Sequence, residues 1–114
     1  MTPPLPGEVA VAGLDPDVRN KQGGVRPVLV ISGRLYNQLR IHHVIVVPVT
    51  RTQRGLPFHV PVGPEAGLRE TSYAMADSVR AISTRRLGKT LGHAAAGTTR
   101  TVREHVIAFL TGQR

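Results

Sequence analysis

The stretch GGVRPVLVIS, residues 23–32, decides the fold. Val28-Leu29-Val30-Ile31 contains no polar position, so the run lacks the alternation of a half-exposed strand and reads as one buried on both faces. Directly before it stand Arg26 and Pro27. Proline fixes its own φ and biases the preceding residue toward extended backbone. The arginine is therefore held at the mouth of a strand that the apolar run anchors. It is either an ordinary solvated strand end or a group aimed at an anion.

A second continuous run, Val44-Ile45-Val46-Val47-Pro48-Val49, reads as another central strand. Shorter strand patterns flank the pair. Val9 and Val11 alternate within residues 7–14, and Phe58, Val60 and Val62 share a face within residues 57–62. Pro61 cannot donate to a ladder, which places it on an edge strand or at the strand's end. Residues 73–76 and 79–82 are two further short strands. Residues 33–42 form one or two helical turns, and residues 83–90 read as a basic connection. Thr101-Val102-Arg103-Glu104 has the capping-box spacing, and Val102, Val106, Phe109 and Leu110 follow at helical spacing toward Gly112. The expected fold is mainly β (α+β): a small, partly closed β-barrel with short helices and a C-terminal amphipathic helix.

At 114 residues the chain is read as a single domain, residues 1–114, with residues 1–6 flexible. It contains no cysteine, which excludes disulfides and thiolate metal sites. No apolar stretch approaches the roughly 18 to 20 residues of a membrane helix, and the proline-rich start lacks a signal-peptide pattern, so a cytoplasmic location is expected. The formal charge is +8, and 13 of the 15 basic residues are arginine. The guanidinium fork matches phosphate oxygens in pairs, which suits a nucleic-acid partner. An arginine-biased genome would produce the same imbalance. Aromatic residues make up 4% of the chain, which argues against a stacking platform for single strands.

About ten residues join the two central strands, so an antiparallel pair is expected. The start of one then lies beside the end of the other, and Arg26 meets Thr50. Residues 51–56 read as a polar hairpin loop, so His59 starts back near Thr50. One end of the barrel collects Gln22, Arg26, Thr50, Arg51, Thr52, Arg54 and His59. His42 and His43 fall at the opposite end, about 20 Å away at roughly 3.3 Å per residue.

Gly7-Glu8-Val9, residues 22–32, Val47-Pro48-Val49-Thr50, Pro57-Phe58-His59-Val60, Ala76-Asp77-Ser78-Val79-Arg80 and Arg85-Arg86-Leu87-Gly88 together resemble the MazF/PemK toxin family, in order and in spacing. The resemblance covers nearly the whole chain. It implies an SH3-like barrel, a homodimer and a cognate acidic antitoxin. It also implies metal-independent, cofactor-free cleavage of single-stranded RNA at short sequences, leaving a 2′,3′-cyclic phosphate and a 5′-hydroxyl. The family's catalytic arginine and threonine fall on Arg26 and Thr50. Two loops depart from the family pattern. Asn20-Lys21-Gln22 stands where many members have Ser-Glu-Gln, and Ala76-Asp77-Ser78 where many have Ala-Asp-Gln.

Cyclic-phosphate formation needs a proton acceptor at the 2′-hydroxyl, a donor at the leaving oxygen and charge stabilisation at phosphorus. A guanidinium holds its proton at physiological pH, so Arg26 is assigned the third task first. Thr50 would bond a phosphate oxygen. Lys21, Gln22, Arg51, Thr52, Arg54, His59, Asp77, Arg80 and Arg86 are candidate RNA contacts, the arginines to the backbone and Asp77 to a loop or a base. Two alternatives remain: the gyrase-binding CcdB branch of the same fold, and a non-catalytic basic RNA-binding module.

Overall fold

Residues 2–14 and 24–112 are described by the computed structural model. In chain order the elements are β1 (Glu8–Ala12), β2 (Arg26–Val30), a single turn α1 (Arg34–Asn37), β3 (His43–Thr50), β4 (His59–Val62), β5 (Ser72–Met75), β6 (Arg80–Ser83), β7 (Leu87–His93) and α2 (Ala96–Thr111). Short 3₁₀ turns occupy Pro64–Ala66, Ala76–Ser78 and Thr84–Arg86. All seven strands belong to one antiparallel sheet of order β4-β5-β3-β2-β1-β7, with β6 also on β3.

The two apolar runs are the centre of this sheet, as expected. On β2 and the residue after it, Leu29 and Ile31 enter one buried cluster with Val47, Val49 and Val62, and Val28 and Val30 enter a second with Val44, Val46 and Ile82. Each fully buried aliphatic side chain contributes about 1.5–3 kcal/mol of transfer free energy. Both faces are covered, which is why neither run alternates.

β3 carries β2 on one edge, and β6 and β5 in succession on the other. Val49 and Thr50 pair with Ala74 and Tyr73, whereas His43 to Val46 pair with Ser83 to Arg80. In the first register Val46 would meet residue 77, but it meets Arg80. The three-residue offset is taken up by the 3₁₀ turn Ala76–Ser78. Pro48 sits at this break. The bond from the Ile31 amide to the Ile45 carbonyl (2.9 Å) shows that odd-numbered residues here face β2. Pro48 therefore points its missing N–H into the gap between β6 and β5, where no ladder bond is lost.

Three expectations are corrected. β3 and β4 are not a hairpin, because β5 lies between them and β4 runs parallel to β3. Residues 83–90 are not simply a connection, because the second half, Leu87 to Thr90, belongs to β7, paired with β1. β7 is a mostly exposed edge strand held by backbone pairing, so it shows no apolar alternation. α2 begins at Ala96, so Thr101 lies inside it and its Oγ1 donates to the Gly97 carbonyl (2.9 Å) instead of capping. The start has no side-chain cap: Ala95 stands at the N-cap, and the first turn is Ala96-Gly97-Thr98-Thr99. Gly112 does end the helix, at φ 72° with its amide on the Ala108 carbonyl (2.8 Å).

Val102 is fully buried and Val106 packs on the same cluster, which fixes α2 against the sheet. Phe109 meets Phe58 edge-on at 5.4 Å, but Leu110 is exposed, beyond the edge of the core. The sheet curls until its outer strands nearly meet: a Cβ on Gly92 of β7 would stand 2.6 Å from the Ala66 carbonyl carbon, just after β4. The expected small barrel is thus present. The proline-rich start, expected to be flexible, is tied down where Asn37 Nδ2 donates to the Pro4 carbonyl (2.8 Å).

Candidate functional site

Continuing the β2–β3 register two residues beyond Val28 and Pro48 brings Arg26 level with Thr50. Both line an open cleft of about 470 Å³ at this end of the sheet. Three segments build it. Val25, Arg26 and Pro27 come from the start of β2. Val49, Thr50, Arg51 and Thr52 come from the end of β3. Leu68, Arg69, Glu70 and Ser72 come from the approach to β5.

The third wall is there because β5 pairs with the last two residues of β3. Leu68, Arg69, Glu70 and Ser72 were not foreseen from the sequence, where residues 63–70 read as a plain loop. Recognising that β5 pairs with the last turn of β3 would have found them.

The Thr50 hydroxyl accepts the Thr52 amide at 3.2 Å. That bond orients the oxygen and leaves its own proton available for donation. Arg51 Nη1 donates to Glu70 Oε2 at 3.0 Å, with both side chains largely exposed. Arg26 is exposed at the lip. Arg26, Arg51 and Arg69 thus line one cleft together with a hydroxyl donor, an arrangement suited to a phosphodiester.

The other candidates are distributed differently. Arg54 is exposed in the β3–β4 connection and does not line the cleft. His59 is buried, because the absent hairpin moves it two strands from Thr50. Its Nε2 lies 3.4 Å from Asp77 Oδ1, and its Nδ1 has no hydrogen-bond partner. Arg80 Nη1 donates to the Leu14 carbonyl (2.9 Å) and Arg86 Nη1 to the Gly13 carbonyl (3.1 Å). These two arginines therefore hold the end of β1. Lys21 and Gln22 lie outside the described residues. His43 starts β3 and His42 precedes it, so both are at the far end of the strand from Thr50, as expected.

A family model for the PemK-like, MazF-like toxin of type II toxin–antitoxin systems matches residues 5–110. The chain belongs to this toxin family. Among its relatives, endoribonuclease EndoA of Bacillus subtilis is 33% identical over 89 residues, spanning 76% of this chain and 77% of the relative. The endoribonuclease toxin MazF of Escherichia coli is 32% identical over 84 residues, 74% and 72% of the two chains. Among solved structures, MazF from Deinococcus radiodurans superposes with a TM-score of 0.79 at 29% identity, covering 97% of this chain and 98% of that one. A mycobacterial endoribonuclease in complex with its cognate antitoxin gives 0.71 at 26%, covering 100% and 98%. In this MazF-like chain, the cleft occupies the end of the barrel where Arg26 and Thr50 come together.

Proposed function

We propose that this toxin is an endoribonuclease that cleaves single-stranded RNA at short sequences and so stops translation. The observation that carries the reading is the placement of Arg26, Thr50 and Arg51 in one open cleft. The names of the relatives support it.

In the proposed reaction the ribose 2′-oxygen attacks its own 3′-phosphorus, and the bond to the 5′-oxygen breaks. The 2′-hydroxyl gives up its proton and the leaving oxygen takes one up. The products are a 2′,3′-cyclic phosphate and a 5′-hydroxyl. Because the nucleophile belongs to the substrate, the chemistry needs no metal or cofactor and discriminates against DNA. Arg26 stabilises the charge that accumulates on the phosphoryl oxygens. Thr50 donates its hydroxyl proton to one of them, held by the Thr52 amide. Arg51, Thr52 and Arg54 engage neighbouring phosphates, and Lys21 and Gln22 are further RNA contacts in this reading. Asp77, oriented by His59, and Arg80 and Arg86, which hold β1, support the site.

The working unit is a homodimer. Leu35, Ile41, Ile107 and Leu110 are all more than half exposed and give the chain apolar surface to bury against a second copy. An acidic antitoxin covers the basic cleft. The protein acts in the cytoplasm, where its RNA is. No helix among the described residues is long and apolar enough to cross a membrane.

The test mixes purified protein with a long single-stranded RNA in chelator, beside an Arg26→Ala variant, and maps the product ends. Cuts at one short sequence with 5′-hydroxyl ends, lost in the variant, support the ribonuclease. RNA retention without cleavage favours a binding module, and absence of both cleavage and binding favours a gyrase-directed toxin.

A further inference from the structure

Glu70 is the one acidic side chain among the described residues that line the cleft, where it shares the walls with Arg26, Arg51 and Arg69. A carboxylate there repels every phosphate that enters. Positioning the RNA backbone therefore gives no reason for it. A carboxylate is acceptor-only, so what it can bind in RNA is a ribose 2′-hydroxyl or an N–H donor on a base edge; the hydroxyl is the same on every nucleotide, so only the base N–H makes the contact selective. The position suits that task. Glu70 stands on the wall opposite β2, two residues before the start of β5, and its Oε2 is held by Arg51 Nη1 at 3.0 Å. Both partners are well exposed, at 72% and 63% of their side chains, so a base edge reaches the carboxylate without a buried pair being broken.

We propose that Glu70 is a specificity-determining residue that reads one RNA base through its exocyclic amine. The inference rests on the ribonuclease reading of the cleft. Adenine, cytosine and guanine present such an amine on the Watson–Crick edge. Uracil presents a single N–H between two carbonyl oxygens, which repel a carboxylate. Glu70 therefore rejects uracil at one position beside the scissile phosphate. Arg51 fixes the orientation of the carboxylate and keeps a phosphate within reach of its remaining donors.

The test uses a set of short RNA oligonucleotides that differ at one position at a time, with wild type, Glu70→Gln and Glu70→Ala. Cleavage rates are measured on all-ribose strands. Affinities are measured by anisotropy on strands carrying 2′-deoxyribose at the cut, which bind but do not react. Wild type is expected to disfavour uracil roughly tenfold or more at one position, the discrimination of a good base contact. Both variants are expected to lose that preference there and keep the preferences elsewhere. Amine removal, with purine in place of adenine, should mimic uracil in wild type and change nothing in Glu70→Ala. If the variants speed cleavage or tighten binding equally for all sequences, Glu70 only moderates charge and the proposal is overturned. Unchanged preferences overturn it too. Base-selective binding by a wild type that cleaves nothing leaves Glu70 as a reader and removes the ribonuclease.

Discussion

Arg26 and Thr50 stand level with one another on neighbouring antiparallel strands and open onto the same cleft. The pairing of two apolar runs puts them there. Val28 to Val30 lock against Val46 to Pro48, and a one-residue slip would send every side chain to the other face. The buried clusters on both faces forbid that slip, so the core positions the site.

Removing either partner should abolish function without unfolding the protein, since neither is part of the buried core. Arg26→Ala and Thr50→Val are expected to lower the cleavage rate by about 10²- to 10³-fold each, the usual loss for one transition-state donor. Arg26→Lys should recover little, because a point charge does not reproduce the fork. Single-turnover rates with a thermal melt for each variant check this; a Thr50→Val rate within a factor of three of wild type would remove the threonine from the mechanism.

Arg80 and Arg86 hold carbonyl oxygens at the end of β1, and substituting either should cost stability ahead of RNA affinity. Each alanine variant is expected to lose about 1–2 kcal/mol in urea titrations, as a charged donor is removed from a partly buried carbonyl. Binding to single-stranded RNA should keep its salt dependence. A slope in log K against log salt shallower by about 0.7 would instead identify a lost phosphate contact.

Closure of the barrel depends on two glycines. A Cβ at Gly67, whose φ is 78°, would overlap the Leu91 carbonyl oxygen at 1.9 Å, and one at Gly92 would press on Ala66 at 2.6 Å. The obstruction is backbone, which cannot swing aside. Gly67→Ala and Gly92→Ala should each lower stability by at least about 2 kcal/mol, seen as a Tm drop of about 8 °C or more. Gly97→Ala, with open space around it in α2, is the control and should be neutral or stabilising by up to about 1 kcal/mol.

The apolar end of α2 should carry the dimer. Ile107→Glu and Leu110→Glu are expected to shift light-scattering mass toward a monomer at micromolar concentration while circular dichroism stays native. Dimers of undiminished strength in both variants would move the interface to another face.

The sequence alone determined the central strands, the place of Pro61 on an edge or at a strand end, the closing glycine of α2 and the meeting of Arg26 with Thr50. Each rests on local physics: continuous apolar runs, a missing amide, a positive-φ residue, and the short connection that makes neighbouring strands antiparallel. Only the tertiary structure decided the rest. Pairing of β5 with the end of β3 brought Glu70 and Arg69 to the cleft and took His59 away from it, into the core beside Asp77. Pairing with β1 turned a polar segment into β7, and Arg80 and Arg86 each found a backbone carbonyl to donate to. Those outcomes are set by backbone hydrogen bonds between distant segments. Such bonds leave no side-chain period in an exposed edge, so no pattern of residues announces them.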